Sequence, residues 1–267
     1  MESEIIVQRG GGDLGTGIAY RLYRSGFRMV ILEIGQPLVV RRTVSFAQAV
    51  IEGKATVEGI TAILVSKLEE VRQAWQEGFL PVMIDPGMRI NAELKPEVII
   101  DATVAKRETG LQRGMAPLTI ALGPYFEAGT HADVVIETNR GHNLGRLILH
   151  GTAEPDTGMP AVVKGHGAER VLRAPCEGRV RHIHDIGARV RRGEVICFVG
   201  DQPVPSPFDG IVRGLIMNGI SVSQGLKIGD VDPRPSKTLC YTISDKARAL
   251  GGAVLEAILY FRNRTRV

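Results

Sequence analysis

The sequence predicts an α/β protein: a mainly parallel sheet domain, then an all-β domain, then a C-terminal helix. Three observations carry that reading. Residues 5 to 33 run strand, glycine-rich turn, helix, strand, and short apolar runs continue the alternation to about residue 149. Residues 174 to 199 and 206 to 231 carry one β pattern twice, ungapped at an offset of 32. Residues 244 to 261 return to helical spacing, with Ala247, Leu250, Val254, Ile258 and Phe261 apolar. The expected bounds are 1–160, 161–240 and 241–267, with the last segment packing back on one of the domains.

Taken in order, Ile5-Ile-Val-Gln8 reads as a buried strand running into Gly10-Gly-Gly-Asp-Leu-Gly15. A helix is expected from Thr16 to Arg24, with Ile18, Leu22 and Tyr23 on one side and Gly26 ending it. Residues 28 to 33 form the second strand. Ser45 with Gln48, and Ser66 with Glu69, have capping-box spacing, the first before a short helix and the second before a helix over Leu68 to Gln76. Further strands are expected at 80–84, 97–101, 118–122, 133–137 and 146–149, and residues 151 to 168, rich in Gly, Pro and Thr, read as a connector.

Composition bounds the function. The 267 residues, 44% of them apolar, suit two compact domains. No apolar run approaches the roughly 18 to 20 residues a bilayer crossing needs, and Met1-Glu-Ser-Glu4 does not read as a signal peptide, so a cytoplasmic, non-membrane protein is expected. Cys176, Cys197 and Cys240 are odd in number and widely spaced, which fits neither a disulfide framework nor a zinc site. The net charge of +4 is uneven: residues 161 to 267 hold 17 Lys and Arg against 10 Asp and Glu, the remainder 16 against 19. The basic residues lack interleaved aromatics, so the expected partner is an acidic protein surface or anionic ligand and not nucleic acid.

Gly10-x-Gly12-x-x-Gly15 follows a strand and opens a helix, and Glu33 ends the next strand. That is the full context of the dinucleotide fingerprint, and it makes the first domain Rossmann-like. Gly10 makes the tight turn, Gly12 admits a pyrophosphate, Gly15 lets helix and strand approach, and Glu33 would accept from ribose hydroxyls. A competing reading keeps the turn for packing alone.

Two polar blocks lie past strand ends, where open α/β sheets bind ligands. The first carries Asp101, Thr103, Lys106 and Arg107. The second, Glu137-Thr-Asn-Arg-Gly-His-Asn-Leu-Gly-Arg146, places Arg140, His142 and Arg146 on a glycine-bearing loop suited to a phosphate or carboxylate. Asp101, Lys106, Glu137, Arg140, His142 and Arg146 are thus the candidate pocket. His131, Asp133, Glu137 and His142 match no metal-ligand spacing, and no metal is expected.

The repeated β segment resembles the biotinyl/lipoyl hammerhead sandwich, in which the hairpin joining the halves displays an acylated lysine. Here that joint reads Gly200-Asp-Gln-Pro203, with no amine to acylate, so the module is expected to dock or scaffold. Over nearly the whole chain, the blocks Arg9 to Gly17, Ile31 to Phe46, Ile136 to Arg146 and the lysine-free repeat resemble the YqeB family, accessory proteins of the selenium-dependent molybdenum hydroxylase system. The glycine-loop domain and the Glu-Thr-x-Arg-Gly-His block are also similar to the XdhC family, which handles molybdenum cofactor. Tyr125 stands where those relatives carry a glycine. The resemblance implies a maturation role: a nucleotide such as NAD, or molybdenum cofactor, held by the first domain, and a molybdenum hydroxylase client or another selenium or molybdenum pathway protein docked by the second, with homo-oligomers possible. The residues leave two alternatives open, an NAD-dependent oxidoreductase using Asp101, Lys106 or His142 as acid or base, and a scaffold with a vestigial pocket. Cys176, opposite Phe208 in the repeat, is expected to be more exposed than Cys197.

Overall fold

The computed structural model describes residues 4–156, 158 and 162–264. The expected boundary at 160/161 and the residues Met1-Glu-Ser3 lie outside them, as does part of the expected connector. The chain divides into two compact units, one made of Met1–Pro37, Ser45–Thr157 and Ile243–Val267, the other of Leu38–Val44 and Gly158–Thr242.

Unit 1 is built on strands β1 (Ile5–Arg9), β2 (Arg28–Glu33), β3 (Lys54–Val57), β4 (Ile60–Val65), β5 (Leu80–Ile84), β6 (Val98–Asp101), β7 (Leu118–Leu122), β8 (Glu127–Ala128), β9 (Val134–Ile136), β10 (Leu147–Ile148) and β11 (Gly151–Thr152). Nine of them form one sheet in the order β10-β9-β7-β6-β1-β2-β5-β4-β3, while β8 and β11 pair separately. Every neighbouring pair in the large sheet is parallel except the two edges, β3 on β4 and β10 on β9. Ile6, Val7 and the run Met29 to Leu32 are fully buried, the continuous apolar pattern of strands covered on both faces. Strands are added from β1 to one side as far as β3, and the chain then returns to place β6 on the other side of β1. That reversal opens a crevice beyond the carboxyl ends of β1 and β6.

The helices of unit 1 are α1 (Asp13–Arg24), α2 (Ala49–Glu52), α3 (Leu68–Gln76), α4 (Asn91–Leu94) and α5 (Asp245–Arg264). Helix α1 starts three residues earlier than its apolar spacing suggests, because Gly12 is already its cap. Helix α5 packs against α1 through glycines. A Cβ on Gly17 would lie 2.6 Å from the Cβ and carbonyl oxygen of Ala247, and one on Gly251 would lie 2.6 Å from the Gly17 carbonyl oxygen.

Two local expectations need correction. The carboxylate that reaches back from α3 is Glu70, not Glu69: Glu70 Oε2 accepts from the Ser66 amide at 2.7 Å and from its hydroxyl at 2.9 Å. Lys67, not Ser66, is the cap residue, so the carboxylate that reaches back lies one position later. The hairpin β3–β4 was not expected at all. It turns on Glu58 and Gly59, both with positive φ, as two-residue hairpin turns require.

Unit 2 has eight strands: β12 (Val171–Arg173), β13 (Gly178–His182), β14 (Arg189–Val190), β15 (Val195–Val199), β16 (Gln202–Pro205), β17 (Gly210–Leu215), β18 (Ser221–Val222) and β19 (Lys227–Asp232). They form two four-stranded antiparallel sheets, β12-β19-β17-β14 and β16-β15-β13-β18. The sequence repeat is a repeat of structure. Residue pairs 32 apart make matching hydrogen bonds, Gly187 N to Val212 O at 2.8 Å mirroring Gly219 N to Val180 O at 2.7 Å. Each sheet mixes strands from both copies, so neither copy has a sheet of its own. Val180 with Val212, Val190 with Val222 and Ile196 with Ile228 all lie in one shared core, each contributing about 1.5 to 3 kcal/mol by burial. The joint between copies is the turn Gly200-Asp201 between β15 and β16.

Charges are also buried in unit 2. Asp230 and Asp232, two apart on β19 and therefore on one face, meet Arg170, Arg213 and Arg234 at 2.6 to 3.7 Å. Burial by itself would raise the Asp232 carboxyl, but hydrogen bonds from Arg234 and the Arg234 and Arg170 charges outweigh it and hold it below the usual range. The segment Leu38–Val44 is fastened here as well. The Leu215 amide donates to the Val40 carbonyl at 2.8 Å and Arg42 Nε to the Leu215 carbonyl at 2.8 Å.

Candidate functional site

Two glycines of the turn are set by its geometry. Gly10 has φ +90°, and a Cβ on Gly15 would lie 2.2 Å from the Gly10 carbonyl oxygen, so both positions demand glycine. Gln8 Nε2 ties the turn to the helix, donating to the Gly10 and Gly15 carbonyls at 2.8 Å each. Glu33 closes the other side by accepting from the Gly11 amide at 2.6 Å and the Ile34 amide at 3.1 Å. Burial raises the Glu33 carboxyl more than those bonds and Arg9 lower it. The turn at 46–48 sits over the loop, with Ala47 N donating to Gly11 O at 2.9 Å and Phe46 N to Thr16 Oγ1 at 2.9 Å.

Asp101 ends β6 beside this turn and is fully buried. Its Oδ1 accepts from the Thr103 amide at 3.1 Å and from the Thr103 hydroxyl. Its Oδ2 has no hydrogen-bond partner among the described residues and lies 3.8 Å from Arg9 Nη1. A Cβ on Gly10 would lie 3.2 Å from Thr103 Cγ2, so the two loops adjoin.

Glu137 is buried at the end of β9 and braces its loop. Its oxygens accept from the Asn139 amide at 2.6 Å and the Glu154 amide at 2.7 Å. Glu154 in turn accepts from the side-chain amides of Asn143 at 2.7 Å and Asn139 at 3.2 Å, which hold its carboxyl below the usual range. The loop of residues 138–146 is therefore stapled by two carboxylates. Arg140 leaves it in a bidentate pair with Asp245 at the start of α5, at 2.7 and 2.9 Å, and that bond raises the guanidinium further. Arg146 lies near Glu154, and His142 is exposed. Tyr125 meets Phe126 edge to face at 5.4 Å between ring centres and lies tilted against His131 at 5.7 Å.

The sequence reading missed four charged residues that join this cluster: Asp13, Asp156, Asp245 and Lys246. Lys106 pairs with Asp156 at 2.9 Å. Lys246 is half-buried; burial lowers its ammonium, Arg140 adds to that, and Asp13, Asp156 and Glu137 oppose it. Lys106, Arg140 and Lys246 thus come from three segments and are linked through Asp156 and Asp245. Asp13 could have been flagged, since it lies within the fingerprint. Nothing local marks Lys246, which reaches the cluster only through the packing of α5. His131 and Asp133 are engaged elsewhere, with the Glu127 amide and with Arg113 and Thr119. No group of three or more His, Cys, Asp or Glu among the described residues is arranged to hold a metal ion. No helix among them is long and apolar enough to cross a membrane.

No protein-family model matches the chain. Over 256 residues it is 47% identical to the uncharacterized protein YqeB of Escherichia coli (strain K12), a match covering 96% of this chain and 47% of YqeB. The chain is thus a homologue of YqeB that spans about half of that relative's length. Among solved structures, an aspartoacylase family protein from Mesorhizobium loti is 9% identical with a TM-score of 0.26, the match covering 88% of this chain and 86% of that one. The product-bound ectoine utilization protein EutE (DoeB) from Ruegeria pomeroyi is 10% identical, also with a TM-score of 0.26, covering 86% of this chain and 85% of that one. Likenesses at that level carry no argument about fold or activity.

Proposed function

We propose that this chain is an accessory protein of the selenium-dependent molybdenum hydroxylase system, which binds a nucleotide or molybdenum cofactor in unit 1 and docks a client enzyme through unit 2. One observation carries the reading: Lys246 lies within reach of the charges of Arg140, Asp156, Glu137 and Asp13, the first residue of α1, and Lys106 pairs with the same Asp156. A helix start with a glycine turn is where phosphate oxygens are held. Lys106 and Arg140 each already have a carboxylate partner, so an arriving phosphate would exchange for Asp156 or Asp245 and would not meet a bare charge. The residues fit a phosphate-bearing ligand on this ground. The pathway rests on the resemblance of the blocks Arg9 to Gly17, Ile31 to Phe46 and Ile136 to Arg146.

The finer folds belong to the same reading. Unit 1 is Rossmann-like in its crevice at β1 and β6. Unit 2 is a lysine-free hammerhead, supported by its exchanged strands and by Gly200-Asp201 at the joint. The cofactor, when bound, supplies any redox or selenium chemistry; the chain's own groups orient its anionic end.

Calorimetric titration with NAD, NADP, ATP, CTP and isolated molybdopterin-type cofactor tests this. Pterin binding that is lost in Arg140→Ala or His142→Ala supports it, and binding unchanged in both variants sinks it. Binding of NAD alone, abolished by Glu33→Ala, would install the oxidoreductase reading instead. The seat of Ala47 and Phe46 on the glycine loop favours a second reading, a scaffold with a vestigial pocket, whose mark is client binding that survives Gly12→Trp.

A further inference from the structure

Val40, Arg41, Arg42 and Thr43 fasten the segment Leu38–Val44 within unit 2. The Val40 carbonyl accepts from the Leu215 amide at 2.8 Å, Arg41 Nη2 donates to the Leu239 and Thr242 carbonyls at 2.9 and 3.1 Å, and Thr43 Oγ1 donates to the Cys240 carbonyl at 2.5 Å. None of these partners titrates. Arg42 differs: its Nε donates to the Leu215 carbonyl at 2.8 Å, but its Nη2 donates to Asp185 Oδ1 at 2.5 Å. That oxygen also accepts from the Ile186 amide at 2.7 Å.

The same Asp185 oxygen faces His182, the last residue of β13. His182 Nδ1 lies 3.9 Å from it, and His182 Nε2 lies 2.8 Å from the Ile216 carbonyl oxygen. A carbonyl only accepts, so Nε2 carries the hydrogen and the neutral ring turns a bare Nδ1 lone pair toward the carboxylate. Burial lowers the imidazole below the usual histidine value and the Arg42 charge adds to that, against the Ile216 bond and Asp185, which raise it. The neighbouring strand β15 brings no charge, since the cross-strand partner of His182 is the thiol of Cys197, kept neutral by burial. Asn218, past β17, offers its side-chain oxygen to the His182 amide at 2.9 Å, and His184 is paired with Glu194 at 2.8 Å.

We propose that His182 and Arg42 compete for the Asp185 carboxylate, so that the segment 38–44 is clasped near neutral pH and loosened at its Arg42 end in acid. A proton taken from solvent at Nδ1 turns the ring into a donor toward Asp185 Oδ1 and sets a second positive charge beside the oxygen that Arg42 holds. With Arg42 in place the ring takes that proton less readily, and with Arg42 withdrawn more readily. Proton uptake therefore shifts the balance toward the open clasp, by up to about tenfold per pH unit between the two titration midpoints. The clasp needs no ligand in unit 1 and stands apart from the cofactor reading.

The test follows histidine ring nitrogen shifts and amide hydrogen exchange of the full chain from about pH 7.5 to about pH 5.5. After correction for the intrinsic exchange rate, protection of the Leu215 amide is expected to fall at least about threefold over that range. The His182 midpoint is expected to rise by at least about 0.3 pH unit in Arg42→Gln. His182→Gln keeps a donor for the Ile216 carbonyl and cannot titrate, so the pH dependence should vanish. Asp185→Asn removes the contested charge at a side chain that is 64% exposed, and should leave Leu215 weakly protected at both ends of the range; it carries the test alone if a thermal melt shows His182→Gln unfolded. Leu215 protection independent of pH in the parent, pH dependence that survives in either folded variant, or a His182 midpoint unmoved by Arg42→Gln would each overturn the proposal.

Discussion

Neighbouring glycines in α5 should respond in opposite directions to the same substitution. Glycine in a helix costs about 1 kcal/mol relative to alanine, so Gly→Ala stabilises wherever the new methyl has room. Gly252 has room, with nothing within 4 Å of a Cβ built on it. At Gly251 the methyl would lie 2.6 Å from the Gly17 carbonyl oxygen and 3.1 Å from Arg21 Cβ. Ordinary contact is about 3.4 Å or more, so α1 and α5 must separate by about 0.8 Å. The obstacle is backbone and cannot rotate away, which puts the cost near the upper part of the roughly 1 to 3 kcal/mol range for overpacking. After the helix gain, Gly251→Ala is expected to destabilise by about 1 to 2 kcal/mol and Gly252→Ala to stabilise by up to about 1 kcal/mol. At about 2 to 4 °C per kcal/mol for a chain of this size, the two melts should part by about 2 to 12 °C. Urea unfolding followed by tryptophan fluorescence isolates the effect, because the single tryptophan, Trp75, lies in unit 1 and donates to the Met29 carbonyl at 2.7 Å. If Gly251→Ala proved as stable as Gly252→Ala, the close packing of α1 on α5 would be refuted.

Other outcomes follow from the charges and thiols. The Asp232 carboxyl is depressed in the folded chain, so its pairing stabilises above the unfolded value of about 3.9 and is lost as pH falls through the lower folded value. Arg234→Ala should therefore lower the melting temperature of unit 2 at pH 7 and converge with the parent as pH drops well below 4; equal loss at both pH values would contradict this. Burial pushes the Cys197 thiol up to about 11 and raises Cys240, whereas Cys176 is half-buried. An aromatic disulfide reagent at pH 7.5 should react quickly with one thiol per native chain, Cys176, and with the remaining two only after unfolding. Glu137→Gln turns an amide group toward two backbone donors and should cost about 1 to 3 kcal/mol, with faster hydrogen exchange at Asn139 and Glu154; protected amides there would dispose of the stapling role.

What could be read in advance was what is local or strictly periodic. Gly10 and Gly15 each answer to a requirement within their own turn, a positive φ and a close helix, and both requirements are met. The β repeat was legible because every match falls at one offset, and the structure turns that offset into paired hydrogen bonds. The hairpin β3–β4 escaped because its turn is Glu-Gly, not the usual Asn-Gly or Asp-Gly, and its first strand, Lys54–Val57, is short and has only Val57 as a bulky apolar side chain. The apolar run Ala62-Ile-Leu-Val65 was the available signal. In the pocket, Glu137 was legible as a strand-end carboxylate but not as a brace, since Glu154 lies beyond two intervening strands. Lys246 was invisible: its neighbour Asp245 meets Arg140 across 105 residues, by way of a helix whose packing face is set by glycines.

Segment Leu38–Val44 leaves unit 1, gives up the Val40 carbonyl to β17 and the Arg42 side chain to the Leu215 carbonyl and Asp185, and returns. The polypeptide consequently passes between units at four places, after 37, 44, 157 and 242. Spatial units and contiguous stretches of gene do not coincide. Expressing residues 158 to 242 alone would leave the Leu215 amide of β17 without its acceptor, so a minimal fragment of unit 2 needs the 38–44 sequence supplied as well. A protease nick near 158 would sever one of the four passages and release nothing, whereas cuts that detach 38–44 would strip unit 2 of a piece that its own half of the sequence does not encode.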